Sequence, residues 1–367
     1  MPIVRAAVLE EIGRPVVVRE LELIEPRAGE VLVRMLASGI CHSDLHVRDG
    51  EWDRPTPIVM GHEGAGIVEA VGPDVTVPRV GDLVALSWLI PCGDCRWCRR
   101  GQIWACPDSP SYRHALLDGE LAFGDVRSYC AIATMATASV VPAAAAIPLP
   151  RDTDPAVAAL IGCCVTTGVG AVLKTAAVTP GSSVAVIGLG GVGLSCVMGA
   201  VIAGASRIVA IDRVASKLDV ARSLGATDTI LASDDSSGAA TSDALRDLTE
   251  GGPDFVFEAI GRPSTVELAI ASLPMGGTAV LVGLTPIGER SSFEVYPLVD
   301  GARRIIGSNY GSAEPATDFP RYASWSIDGR LPVKRLIDRR ITLDDVEDAF
   351  AAMRRGEYVR QVIEFET

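Results

Sequence analysis

Apolar and polar positions along this chain fall into two textures. Over residues 1 to about 90 the apolar positions come in short runs, such as Val16-Val17-Val18, residues 30–35 and residues 81–86, parted by Gly- and Pro-rich turns. Runs this short between turn signals predict strands of a compact, mainly β, barrel-like unit. From about Asp154 the pattern lengthens to helical periodicity and leads to a strand-like run at 183–187. A glycine-rich turn, another helix and further runs at 207–212, 255–258 and 278–283 follow. Strands alternating with helices predict a doubly wound parallel sheet, so the fold class is α/β with a mainly β partner domain. After about Gly307 the pattern is mixed again and closes on a predicted strand over 359–365. The Ser/Gly/Ala/Asp-rich piece at 233–243 predicts a surface loop leading into a helix. The chain shows no internal repeat.

Length and composition sharpen that picture. A chain of 367 residues exceeds one ordinary core, so two domains are expected. Hydrophobic residues at 48% and charged ones at 22% fit a globular enzyme with a generous core. A net charge of -13 speaks against nucleic acid or an anionic membrane as partner. Three uncharged stretches, 128–150, 156–173 and 184–206, approach a membrane's span, but prolines, glycines and threonines interrupt them, and all three read as buried structure. Met1-Pro2-Ile3-Val4-Arg5 leads into a strand pattern rather than a secretory signal, so a cytoplasmic location is expected. Nine cysteines in such a chain point to metal or redox use rather than to a disulfide framework.

Three constellations carry candidate chemistry. Gly188-Leu189-Gly190-Gly191-Val192-Gly193 fits G-x-G-x-x-G between a predicted strand and a predicted helix. The first glycine makes the turn, the second admits a pyrophosphate, and the third lets helix and strand pack. The next predicted strand ends in Asp212, placed to bind the adenosine ribose 2′-hydroxyl; its charge repels a 2′-phosphate and so favours NAD over NADP, while Arg213 softens that preference. Cys92, Cys95, Cys98 and Cys106 offer four thiolates within one loop, over residues 92–106. Tight x-x spacing suits a tetrahedral zinc with no open position, hence a structural one. An iron–sulfur cluster or a nucleic-acid-binding ribbon uses similar spacing, although Arg96, Arg99 and Arg100 make a poor phosphate face in so acidic a chain. Gly61-His62-Glu63-Gly64-Ala65-Gly66 sets a histidine and a carboxylate among glycines at the end of an apolar segment, which fits either a hydrogen-bonded core pair or a buried metal ligand. Cys41 upstream and Cys163 downstream would complete a three-ligand zinc site with its fourth position open.

Taken together, these residues resemble the zinc-containing medium-chain alcohol dehydrogenases over nearly the whole chain. The likeness rests on Gly61-His62-Glu63-x-x-Gly66-x5-Gly72-x-x-Val75, the four-cysteine lobe, Gly162-Cys163-x-Val165-x-Thr167-Gly168, and the glycine fingerprint with Asp212, all in the family's order. The resemblance implies a GroES-like catalytic domain over residues 1–162 and 308–367, with a Rossmann NAD-binding domain over 163–307 between its parts. It implies two zincs per chain: a catalytic one on Cys41, His62 and Cys163, and a structural one on Cys92, Cys95, Cys98 and Cys106. Cys163 is chosen over Cys164 because it follows Gly162; a second thiol at 164 departs from the family's usual glycine. Asp44 is expected to orient His62. Glu63 would tune the metal, facing Arg360, which also reaches the cofactor phosphate. Ser43 would touch the alcohol oxygen and His46 would end the proton relay. His46 by itself reads as a surface histidine. His42 stands where liver-type enzymes carry a phosphate-binding arginine. Thr167 would pack behind the nicotinamide, and Lys217 would reach the adenosine ribose. Gly188, Gly190, Gly191, Val192 and Gly193 would hold the pyrophosphate.

The implied reaction is reversible NAD-linked oxidation of a primary alcohol to an aldehyde, by hydride transfer from an alkoxide that zinc makes available at neutral pH. Trp52 and Trp88 align with pocket walls, which would suit aromatic or medium-size alcohols; both also read as ordinary core tryptophans. One alternative is a glutathione- or mycothiol-dependent formaldehyde dehydrogenase, for which Arg113 and His114 are the only hints of an anion site. Another is a catalytically silent NAD-binding protein, which the presence of all three ligands, Ser43 and His46 opposes. No nucleic acid or membrane partner is expected. The Rossmann sheets of the family pair edge to edge, implying a homodimer, with a tetramer open.

Overall fold

A computed structural model describes residues 2–116, 119–232 and 238–366. The chain divides into two compact units, Met1–Cys164 with Glu314–Thr367, and Val165–Ala313.

The first unit is built on two sheets. In one, Ile337–Ile341, Arg360–Glu364, Glu30–Gly39, Gly64–Val71, Leu83–Leu86 and Ala146–Pro148 lie side by side, and Ala138–Pro142 also pairs with Glu30–Gly39. The other orders Val17–Glu22, Ile3–Leu9, Ile58–Val59 and Arg127–Ser128. The 30–39 strand is rich in Val, Leu and Met and almost wholly buried, so it takes the centre of its sheet. Its antiparallel register sets Met35 opposite Gly66 and Ser38 opposite Gly64. A Cβ on Gly66 would fall 2.1 Å from the Arg34 carbonyl oxygen, so only glycine fits that approach. On its other side the strand pairs antiparallel with Arg360–Glu364, Gly39 against Val362. This register gathers three chain segments at one end of the sheet: the exit from Gly39 into Cys41, the approach through His62 and Glu63 into Gly64, and the start of the last strand at Arg360. One core cluster, including Ile40, Leu45, Val47, Trp52, Met60, Tyr129, Phe350 and Ile363, anchors the helix His42–Asp49 beside that end.

The second unit is a six-stranded parallel sheet of Ser183–Ile187, Arg207–Asp212, Asp228–Leu231, Phe255–Glu258, Thr278–Leu281 and Arg304–Gly307. Numbered within this sheet, their spatial order is 3-2-1-4-5-6, the doubly wound order whose crevice lies where the direction reverses, between the first and fourth strands. Val209, Ile211, Val256, Val266, Ile270 and Ala279 are among the side chains that fill its core.

Pattern and structure agree closely for the runs at 183–187, 207–212 and 255–258. The run at 16–18 begins a strand only at Val17, and the run at 278–283 ends its pairing at Leu281. The expected loop at 233–243 falls partly outside the described residues; a helix, Ala239–Leu248, follows it. Among the described residues one helical run, Pro155–Thr175, is long and apolar enough to cross a membrane, with mean hydropathy 2.1, yet 89% of that window is buried within the protein.

Candidate active site and metal centres

Cys41 caps the helix His42–Asp49 in an extended conformation, and its N–H donates to Asp44 Oδ2 at 3.1 Å. The same buried carboxylate accepts from the Gly61 N–H at 3.2 Å and from His62 Nδ1 at 3.1 Å, both through Oδ1. Asp44 therefore ties the two ligand-bearing segments together and fixes the proton of His62 on Nδ1. The other ring nitrogen, Nε2, is buried and has no hydrogen-bond partner among the described residues. Burial opposes a charge on this ring, but Asp44 and Cys41 outweigh it and hold the His62 pKa well above its ordinary value.

The third corner comes from a π-helical turn, Ile161–Val165. A Cβ on Gly162 would stand 2.7 Å from the Leu86 carbonyl oxygen, so glycine there lets this turn close on the sheet. Donor atoms of Cys41, His62, Glu63 and Cys163 all lie within 4.8 Å of one another, and all four residues are buried. It is Cys163 that joins this cluster; Cys164 turns its thiol to the Leu160 carbonyl oxygen at 3.7 Å and its N–H to Glu63 Oε1 at 3.2 Å. The neighbouring Cys163 thiol holds Cys41 well below an ordinary thiol, while Cys41 and burial hold Cys163 well above one. Two crowded thiols and an imidazole nitrogen with nothing to bond are a donor set that suits zinc, which needs deprotonated ligands and releases protons on binding.

Glu63 belongs to the cluster by position but has a partner of its own. Its Oε2 accepts from the Arg360 guanidinium, and both side chains are buried. Burial pushes the Glu63 pKa up to about 7, against the pull of Arg360. The pair is packed tightly: a Cβ on Gly39 would lie 2.1 Å from Glu63 Oε2 and 2.9 Å from the guanidinium.

The four-cysteine lobe is different in kind. Ligand sulfurs of Cys92, Cys95, Cys98 and Cys106 lie within 4.8 Å of one another, and Cys92 is exposed. Backbone N–H groups point at sulfur, from Cys95 to Cys92 at 3.3 Å and from Cys92 to Cys106 at 3.4 Å. Backbone donors of Cys95 and Asp94 bring Cys92 down to about 7, while burial and the neighbouring thiols push Cys98 up to about 12. Arg96 and Arg100 lie over the Trp97 ring, at 4.6 and 6.0 Å from its centroid, and Arg99 pairs with Asp94 at 3.0 Å, so the lobe's arginines serve the loop itself.

Ser43 and His46 share one face of the His42–Asp49 helix by their i, i+3 spacing, and both are half-buried. His42 is exposed, its ring 6.2 Å from that of His46. Trp52 is buried in the core and stacks on the His46 ring at 4.6 Å; Trp88 is half-buried against the core cluster that includes Val33, Met35, Val68 and Val84. In the other unit, the glycine loop opens the helix Gly191–Ile202. Gly188 has φ +91°, and a Cβ on Gly193 would fall 1.7 Å from the Gly188 carbonyl oxygen, while the space at Gly190 is open. Asp212 braces this loop, accepting the N–H of Leu189 at 2.7 Å and of Val214 at 2.9 Å. Val192 is half-buried on the loop's first turn, Lys217 half-buried on the helix Ala215–Ser223, and Thr167 on the helical segment packed against Gly191–Ile202.

Residues 27–151 match the alcohol dehydrogenase GroES-like domain family and residues 191–327 the zinc-binding dehydrogenase family. The chain is 34% identical to an alcohol dehydrogenase class-3 of Myxine glutinosa, over 98% of this chain and 97% of that one. It is also 34% identical to an S-(hydroxymethyl)glutathione dehydrogenase of Escherichia coli O139:H28, over 98% and 99%. Among solved structures it is similar to a benzyl alcohol dehydrogenase from Acinetobacter calcoaceticus, with TM-score 0.94 and 32% identity over the full length of both. The chain belongs to the zinc-dependent medium-chain alcohol dehydrogenase family.

Tyr129 and Glu51 carry no motif of their own and were not legible in sequence, while His114, read there only as a hint of an anion site, packs on Tyr129 instead. The Tyr129 ring meets His62 edge-on at 5.5 Å, and His114 stacks on Tyr129 at 5.5 Å. His114 Nδ1 accepts the Cys130 N–H at 3.1 Å, and burial, then Arg54 and Arg127, bring its pKa down to about 4. Glu51 Oε2 hydrogen-bonds His46 Nδ1. Only a fold that brings Tyr129 and His114 beside His62 could reveal how the two pack.

Proposed function

We propose that this protein is an NAD-dependent alcohol dehydrogenase acting on primary alcohols of aromatic or medium size. Residues 1–162 and 308–367 form the catalytic domain in this reading, and 163–307 the NAD-binding domain. The observation that carries it is the buried Cys41–His62–Cys163 cluster with a bondless His62 Nε2, held by Asp44. A zinc ion on those three residues would supply the Lewis acid that makes an alcohol acidic at neutral pH. Nicotinamide would take the hydride. Asp44 keeps His62 in the ligating tautomer, and Arg360 neutralises Glu63 so that the buried carboxylate does not compete for the open position. Ser43 and His46 carry the alcohol's proton outward along one helix face. Cys92, Cys95, Cys98 and Cys106 would hold a second, structural zinc. Gly188, Gly190, Gly191, Val192 and Gly193 would cradle the pyrophosphate, and Asp212 the adenosine ribose, with Lys217, Thr167, His42 and Arg360 as further cofactor contacts.

Aromatic substrates are favoured because Trp52 lies against His46, giving the relay an aromatic neighbour, with Trp88 as a second wall. The relatives' names divide between benzyl alcohol and a glutathione adduct. His114 tells against the adduct: buried and with a pKa near 4, it is neutral at pH 7 and offers no charge to an anionic thiol. A homodimer joined at the open Arg304–Gly307 edge fits the exposed Val295, Tyr296 and Val299 beside it. Initial rates with benzyl alcohol, a short and a long primary alcohol, and formaldehyde with and without glutathione or mycothiol, each with NAD and NADP, test the reading. Fastest turnover of benzyl alcohol with NAD is expected. Formaldehyde oxidation that requires a thiol would replace it with the adduct-oxidising reaction.

A further inference from the structure

His46 is held from two sides by the residues that follow its helix. Gly50 ends the helix in a left-handed conformation, and the Glu51 and Trp52 N–H groups both fold back to the His46 carbonyl oxygen, at 2.9 and 3.2 Å. That turn brings both side chains onto the ring. Glu51 Oε2 hydrogen-bonds His46 Nδ1, and Trp52 stacks on the imidazole with the planes 24° apart. A carboxylate accepts and cannot donate, so the bonded nitrogen carries the hydrogen, and in the neutral ring Nε2 keeps its lone pair. The two partners differ in access: the His46 side chain is 16% exposed and that of Glu51 43%, so the ring is covered while its carboxylate meets water. Other charged or titratable groups around the ring are already engaged or more distant. His42 lies 6.2 Å away ring to ring, Arg54 sits over Trp52 at 6.0 Å, and Arg48 is tied to Asp49 and Glu347.

We propose that Glu51 is the positioning residue of His46 and the exit of the proton path: it fixes the Nδ1–H tautomer, and it passes the proton to water. This rests on the reading of His46 as the relay's outer end. Dehydrogenation of an alcohol yields one hydride, which the nicotinamide accepts, and one proton. The proton reaches His46 from the Ser43 side and forms a bond at Nε2. The Nδ1–H bond then breaks toward the Glu51 carboxylate, which becomes a carboxylic acid and releases the proton to solvent. The ring returns to its starting tautomer by proton exchange on the exposed side.

Two variants separate holding from export. Gln at 51 still accepts a hydrogen bond through its amide oxygen but cannot take a proton; Ala does neither. In protein labelled with 15N-histidine, the His46 ring nitrogens are expected to show Nδ1–H in the wild type and in Glu51→Gln, and to shift toward Nε2–H in Glu51→Ala. Both variants should lower kcat about 10-fold at neutral pH with KM within about twofold, and added imidazole buffer should restore much of the rate. Glu51 is exposed, so neither change threatens folding. An Nε2–H ring in the wild type, or one unmoved by Glu51→Ala, overturns the positioning role. Wild-type rates in both Glu51 variants overturn the export role. A wild-type rate in His46→Ala would instead remove the relay reading itself, and export with it, while leaving the tautomer result as a separate fact about the ring.

Discussion

Two cysteine clusters in this molecule look alike as chemistry and differ in how the fold makes them. The lobe draws four sulfurs from fifteen residues of one loop, 92–106, and supports them with its own backbone N–H groups. The buried cluster draws three ligands from positions 41, 62 and 163 and depends on partners elsewhere: Asp44, Gly39, and Arg360 from the last strand. A loop that carries all its ligands can saturate a zinc and so protects a shape. A site assembled from separate segments can leave one position open, because no neighbouring residue along the chain is obliged to fill it. The lobe is local and, in the proposed reading, closed; the buried site is distributed and, in the same reading, reactive.

The widest separation between them should come from removing a lobe ligand. Metal binding supplies on the order of 10 kcal/mol to small zinc modules. Cys95→Ser should therefore lose one of two zincs and become open to trypsin at Arg96, Arg99 and Arg100, while the surviving folded protein turns over alcohol within a few-fold of normal. Loss of both ions would show that the clusters are coupled. Next in size is Arg360→Met, which strands the buried Glu63 carboxylate. A cost of ~3–5 kcal/mol is expected in urea unfolding, with the lobe's zinc retained and much of the stability recovered when Glu63→Gln is added. Asp44→Asn should weaken zinc at the buried site by about 10- to 100-fold in chelator competition, without change at the lobe.

The smallest effect concerns His114, which packs against Tyr129 beside His62. Its folded pKa, about 4, lies below the ordinary 6.5, so the unfolded chain binds the proton more readily. Its contribution is thus fully present above pH 6.5 and is lost as pH falls from 6.5 toward 4. Between pH 6.5 and 5.5 alone the loss is about 1 kcal/mol. In His114→Asn, which also tolerates the left-handed backbone there, the fall in stability over that pH range should be shallower than in the wild type by that amount.

The contrast between the clusters also governs how much could be read from sequence. The lobe, the glycine fingerprint and Asp212 are visible because their residues are close in the chain or sit at fixed distances from strand ends. The buried site was legible as ligand types and became a definite set only through its resemblance to a family, since nothing in the spacing of 41, 62 and 163 says that they meet. The antiparallel register around Glu30–Gly39 is what brings them together. Glu51 was missed although it lies five residues from His46, because its role depends on the left-handed turn at Gly50 folding it back onto the ring. Tyr129 was missed, and His114 was read only as a hint of an anion site, for a different reason: burial, and not any motif, decides how they pack. The tryptophans kept both of their meanings, since Trp52 is at once a core residue and the ring stacked on His46.

The claim at the centre of this account is that the distributed cluster is the reactive one. Zinc content and alcohol oxidation measured on the same preparation of Cys163→Ser test it most directly. One zinc per chain, a folded protein and no alcohol oxidation is the predicted result. A fully active Cys163→Ser enzyme would contradict it, whatever its metal content.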